Sequence, residues 1–232
     1  MENDHHHSEK HFTSSEIVRD VIIGMTDGLT VPFALTAGLS GVVHSNALII
    51  TAGIAEIVAG SIAMGLGGYL SAKTEIEHYE TELGREYREV EIVPEKEKEE
   101  VMEVFADYGL PKSLQIEIAD ELSKDKKQWV DFMMRFELGM EKPDPKRAKK
   151  SAFNIGVSYI IGGFVPLSAY FFAKTPSDGL IFSAIISIFA LFIFGYVKTK
   201  LTGTKPMQGA FKTVLIGALA AGAAFLVARL IS

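Results

Sequence analysis

Five stretches of this chain run almost without charge: Val21–Val43, Ala47–Leu70, Phe153–Ala173, Gly179–Val197 and Gly209–Ala228. Each is close to the ~20 residues a helix needs to cross ~30 Å of hydrocarbon. Backbone groups in lipid must bond within their own segment, so these runs are expected to be helices. As buried helices of a soluble domain, they would exceed any core that 232 residues can enclose. The expected fold is therefore all-α: an integral membrane protein with five transmembrane helices, whose first partner is membrane lipid.

The charge missing from these runs is concentrated elsewhere. Residues 73–150 hold 21 of the 29 acidic and 15 of the 23 basic residues, so the whole net charge of −6 resides there. The domain reading is a flexible cytosolic tail over 1–12, helices one and two over 13–72, a cytosolic helical insert over 73–150, and helices three to five over 151–232. Orientation follows from the basic residues of short loops. Lys146-Arg147-Ala148-Lys149-Lys150 precedes span three, and Lys198, Lys200, Lys205 and Lys212 surround the turn between spans four and five. The loop between spans one and two has no Lys or Arg. These place the N-terminus and the insert in the cytosol and the C-terminus on the far side. No cleavable signal peptide is expected, because the N-terminus is polar and His-rich and the first apolar run is too long for one. An acidic balance argues against nucleic acid as a partner. Absence of cysteine removes disulfides, thiolate metal sites and cysteine nucleophiles. No Gly-rich phosphate loop is present, so ATP drive is not expected.

Local signals refine this layout. Thr13-Ser14-Ser15-Glu16 has capping-box spacing and predicts the first helix start. Pro32 predicts a kink or an opened hydrogen bond inside span one. Span two repeats small residues at Ala55, Ala59, Ala63 and Gly67, a face suited to close packing on another helix. The adjacent row is Ala52, Glu56, Gly60, Met64 and Gly68. The second helix is expected to continue through Glu91 until Pro94 breaks it. A helix starting at Glu95-Lys96-Glu97 ends at Gly109-Leu110-Pro111, and further helices cover Lys112–Leu122 and Lys126–Met140.

Two carboxylates lie within the apolar runs, Asp27 and Glu56. An acid at the bilayer centre costs at least ~2.5 kcal/mol, so such residues face a bundle interior or a water path. With Met64 two turns from Glu56, they favour a cation or proton path over a helix–helix hydrogen bond. The insert pairs acids at i, i+3: Glu86 with Glu89, and Glu97 with Glu100. Met133, Met134 and Glu137 fall within one and a half turns. A mixed oxygen and sulfur set suits a borderline transition metal. The same pattern also describes a solvated Glu/Lys face, and Met133 shares its side with Trp129, Phe136 and Met140, as a core residue would. Glu75-x-x-His78 matches half of a di-iron signature without a second half. His5, His6, His7 and His11 form a weak metal-binding cluster in the tail.

These residues resemble a known family. The string from Arg19-Asp20 through Gly24-Met25-Thr26-Asp27-Gly28 to Pro32-Phe33-Ala34-Leu35 is similar to the first helix of vacuolar iron transporters. Ala55-Glu56-Ile57 and Met64-Gly65-Leu66-Gly67-Gly68-Tyr69-Leu70 resemble their second helix. Trp129–Glu137 and Glu141-Lys142-Pro143-Asp144-Pro145 resemble the end of their cytosolic metal-binding domain in its plant-like form. The resemblance implies a homodimer of five-span protomers. It implies Fe2+ export from the cytosol into a vacuole against a counterflow of protons, along a path lined by the first helices of both protomers. It assigns the membrane path to Asp27, Glu56 and Met64. It assigns metal capture to Glu86, Glu89, Glu97, Glu100, Met133, Met134 and Glu137. Fe2+ is then a substrate, with Mn2+, Co2+ and Zn2+ as candidates beside it, and no permanently bound cofactor is expected. The expected activity is that of a secondary transporter and not of an enzyme. The alternatives are a membrane-tethered ferroxidase and an iron-binding sensor or buffer.

Overall fold

The structure, a computed structural model, describes residues 15–231. The capping residues Thr13 and Ser14 and the histidine-rich tail lie outside these. Among the described residues all regular structure is helical. The helices are α1 (Ser15–Ser40), α2 (Asn46–Ile92), α3 (Pro94–Asp107), α4 (Lys112–Leu122), α5 (Lys126–Phe132), α6 (Arg147–Phe172), α7 (Pro176–Leu201) and α8 (Pro206–Ile231). Five of them, α1, α2, α6, α7 and α8, are long and apolar enough to cross a membrane. The chain divides into two compact units, one of residues through Tyr69 with Lys149 onward, the other Leu70–Ala148.

In the first unit α1 packs on α7 and α8, and α7 and α8 form a hairpin. Pro32 lies inside α1, which continues to Ser40. Proline has no N–H, so the helix loses the bond to the Gly28 carbonyl there. One turn on, the Thr36 hydroxyl donates to the Pro32 carbonyl at 2.9 Å. Glycine sets the approach of α1 to α6. A Cβ at Gly28 would lie 2.3 Å from the Tyr159 carbonyl oxygen. Backbone, not a mobile side chain, is what it would strike. Gly28→Val should therefore cost at least the ~1–3 kcal/mol typical of overpacking, lowering the melting temperature by about 5–10 °C. Thermal unfolding in detergent measures this, and an unchanged melting temperature would show that α1 and α6 can separate freely.

Two lines rich in small residues run along the second helix. Ala55, Ala59, Ala63 and Gly67 are exposed within the chain. The buried line is instead Gly53, Ile57, Ser61 and Gly65, directed at α6. Between the two lines runs the row Ala52, Glu56, Gly60, Met64 and Gly68, every member half-buried.

The second unit has its own core, made of Tyr79, Val90, Val101, Ala119, Trp129, Val130, Met133 and Met134. Pro94 stops α2 and occupies the first turn of α3, where a missing N–H costs nothing. Lys98 bridges to Asp120 at 2.8 Å, tying α3 to α4. Asp125 caps α5 by accepting from the Lys127 N–H at 2.9 Å and the Gln128 N–H at 3.2 Å. The last helix of this unit departs from the expected Lys126–Met140. After Phe132 the backbone widens into a π-turn, Met133–Glu137, and helical structure stops there. Gly139, at φ +63°, then turns the chain in the left-handed region that glycine adopts freely, before Pro143 and Pro145.

Candidate metal centre

The acidic residues of the second unit do not all behave as a solvated face. The end of α2 carries Glu86 and Glu89 one turn apart, and the first turn of α3 carries Glu97. The break at Pro94 brings these turns together, and one oxygen from each of the three carboxylates lies within 4.8 Å of the others. Glu86 is 2% exposed and Glu97 is 1% exposed. Both Glu97 oxygens and Oε2 of Glu86 are buried without a hydrogen-bond partner. An uncompensated buried charge costs several kcal/mol, so this arrangement is stable only with bound protons or a bound cation. The position of Glu97 near the α3 N-terminus offsets part of that cost through the helix dipole.

Of the other predicted ligands, Glu137 and Glu100 lie near enough to act on this group through their charge, and the rest differ in state. Arg85 Nε donates to both oxygens of Glu89 at 3.3 Å. Lys96 Nζ donates to Glu100 Oε1 at 2.7 Å, so Glu100 is engaged by its own helix. Glu137 ends the π-turn and is exposed. Met133 and Met134 begin that turn and are fully buried in the core, at 0% and 1% exposure. A π-turn is rare in helices and is frequently found at functional sites.

Electrostatics follow from this geometry. Burial first, then Glu137 and Glu89, push the Glu86 carboxyl from the ordinary 4.5 up to about 7. Burial and then the charges of Glu100 and Glu86 push Glu97 up to about 7. Glu137 also rises to about 7, through partial burial and the charges of Glu100 and Glu97. A carboxyl that binds protons more tightly when folded stabilises the fold fully below its unfolded value, and that contribution fades as pH rises through the folded value. For these three groups the window lies between 4.5 and about 7. The metal-free protein should thus melt at a lower temperature at pH 8 than at pH 6. A melting temperature that rises over this interval would contradict the assignment.

In the first unit Asp27 and Met64 are half-buried. Glu56 accepts a hydrogen bond at Oε1 from the Tyr159 hydroxyl, and its Oε2 is buried without a partner. Sequence reading did not single out Tyr159, nor Asp20. Asp20 is fully buried and accepts from Ser151 Oγ at 3.1 Å and Asn154 Nδ2 at 3.4 Å. Its spacing of seven from Asp27, two helical turns, was the available signal; for Tyr159 it was a polar aromatic in mid-span.

The sequence pattern of a known family extends over nearly all of this architecture, matching residues 18–229. The chain belongs to the VIT family. Curated relatives align over nearly the same length. Vacuolar iron transporter 1 of Arabidopsis thaliana is 54% identical over 226 residues, covering 97% of this chain and 90% of that protein. Vacuolar iron transporter 1 of Oryza sativa subsp. japonica is 52% identical over 225 residues, covering 97% and 89%. Protein CCC1 of Saccharomyces cerevisiae is 39% identical over 229 residues, covering 93% and 69%. Membership of the VIT family extends from α1 to α8, so the helices bearing Asp27 and Glu56 and those bearing the convergent carboxylates all fall within it.

Proposed function

We propose that this VIT-family membrane protein moves Fe2+ from the cytosol into the vacuole in exchange for protons. It acts as a homodimer, with the N-terminus and the acidic unit in the cytosol. The observation that carries the reading is the convergence of Glu86, Glu89 and Glu97, two of them buried with oxygens that no protein group satisfies. Near neutral pH such carboxyls hold protons weakly, and a divalent cation binds by displacing them. Glu100 and Glu137 add negative charge around the group. Met133 and Met134 supply thioether sulfur, which tilts the set toward Fe2+ and away from Mg2+ or Ca2+. Mn2+, Co2+ and Zn2+ compete on the same chemistry.

Within the membrane Asp27, Glu56 and Met64 would carry the cation onward. An acidic vacuolar lumen protonates these carboxylates, lowers their hold on the metal and returns protons to the cytosol. The exposed line Ala55, Ala59, Ala63 and Gly67 supports the homodimer, since small residues let helices from two protomers approach closely in lipid. The ferroxidase alternative gains no support: the convergent carboxylates include no histidine, and His78 is exposed with Glu82 at 3.9 Å.

Reconstitution of the purified chain into liposomes tests the reading. Fe2+ should accumulate inside vesicles that contain the protein and not in protein-free vesicles. Metal bound to the protein without accumulation inside would make it a buffer, not a transporter.

A further inference from the structure

Tyr159 connects the two helices that carry the membrane carboxylates. It is 2% exposed and lies on α6. Its backbone packs on Gly28 of α1, the residue after Asp27. Its ring and hydroxyl pack over Gly60 of α2, one turn beyond Glu56, where a Cβ would lie 2.4 Å from the hydroxyl oxygen. Two glycines thus form a slot that a side chain on either helix would fill. From that slot the hydroxyl reaches Glu56 Oε1. The second oxygen of Glu56 is buried and has no protein partner. Buried polar atoms in folded proteins are almost always satisfied, so an oxygen left over beside a fully built hydrogen bond points to a further partner.

We propose that Tyr159 is a positioning residue for Glu56: its hydroxyl holds Oε1 so that Oε2 is presented to the divalent cation crossing the membrane. This rests on the transport reading above. The tyrosine does not touch the metal; it fixes the side-chain torsions of the group that does. A hydrogen bond to a charged group contributes enough that its loss changes a rate by about tenfold or more. Capture takes place on other residues, so the loss should fall on turnover and not on apparent affinity.

Tyr159→Phe keeps the ring in its slot and removes only the hydroxyl. In proteoliposomes, the maximal Fe2+ uptake rate per folded protein should fall about tenfold, with the half-saturating Fe2+ concentration changed less than about twofold. A second readout separates positioning from packing. In infrared difference spectra of the full chain with and without Co2+, the carboxylate band that Glu56→Gln removes should shift in Tyr159→Phe. Uptake equal to wild type overturns the proposal. So does a loss of uptake with an unmoved Glu56 band, which would make the tyrosine a packing residue. If wild-type vesicles accumulate no iron, the transport reading fails, and the infrared band still decides whether Tyr159 positions Glu56. Should Tyr159→Phe not fold, difluorotyrosine at position 159 alters the hydroxyl at nearly constant volume and must shift the same band.

Discussion

Asp27→Ala and Glu56→Ala should each abolish Fe2+ accumulation, lowering the initial rate at least about a hundredfold, the scale of losing one charge-assisted contact in a low-dielectric site. A divalent ion in transit surrenders water, and only formal negative charge compensates for that within hydrocarbon. Asp27→Ala should not reduce the yield of folded protein, since removing an acid from a membrane helix favours insertion, whereas Glu56→Ala also leaves the buried Tyr159 hydroxyl without its acceptor. The pairing of unimpaired folding with lost transport is the signature of a path residue. Glu56→Gln sharpens the test, because it retains the volume and a bonding partner for Tyr159 while removing the charge. Uptake by Asp27→Ala at the wild-type rate would remove that residue from the path.

Charge removal at the convergent carboxylates should have a different effect. In Glu86→Gln and Glu97→Gln the half-saturating Fe2+ concentration should rise at least about tenfold, the consequence of losing one charged ligand, while the maximal rate stays within about twofold. Stability should move the other way. Above pH 7 the metal-free cluster holds several mutually repelling carboxylates, and removing one relieves that repulsion. Glu97→Gln should therefore melt at a higher temperature than wild type at pH 8 without metal, and lose that advantage at pH 6. This is the trade expected where a site is kept strained for its ligand. An unchanged half-saturating concentration would locate capture elsewhere.

The five apolar helices were legible in the sequence because charge exclusion is a property of composition alone, and no packing is needed to see it. The stops at Pro94 and Pro111 were legible for a similar reason, since a missing N–H acts locally. The faces of α2 were not. Its Ala55 and Gly53 lines are both made of small residues, and only the position of α6 decides which is buried. The end of the last polar helix was also hidden, because the π-turn at Met133–Glu137 depends on how Met133 and Met134 seat in the core. For the metal centre, i, i+3 spacing suggested Glu86 with Glu89 and Glu97 with Glu100. The turn at Pro94 gathers Glu86, Glu89 and Glu97 into one group across two helices, a meeting that spacing within one helix does not encode, and Glu100 bonds Lys96. Tyr159 is the clearest omission. Its bond to Glu56 joins residues 103 positions apart, and no local pattern encodes such a pairing.

Proton exchange is the central claim, and one recording tests it directly. Vesicles containing the purified chain and a trapped pH-sensitive dye, acidic inside, are given external Fe2+ while internal metal and internal pH are followed together. Iron entry should be accompanied by alkalinisation of the lumen beyond the passive leak, and both should cease when an ionophore collapses the pH gradient beforehand. Iron entry at an undiminished rate without a gradient, and with no change in internal pH, would contradict it.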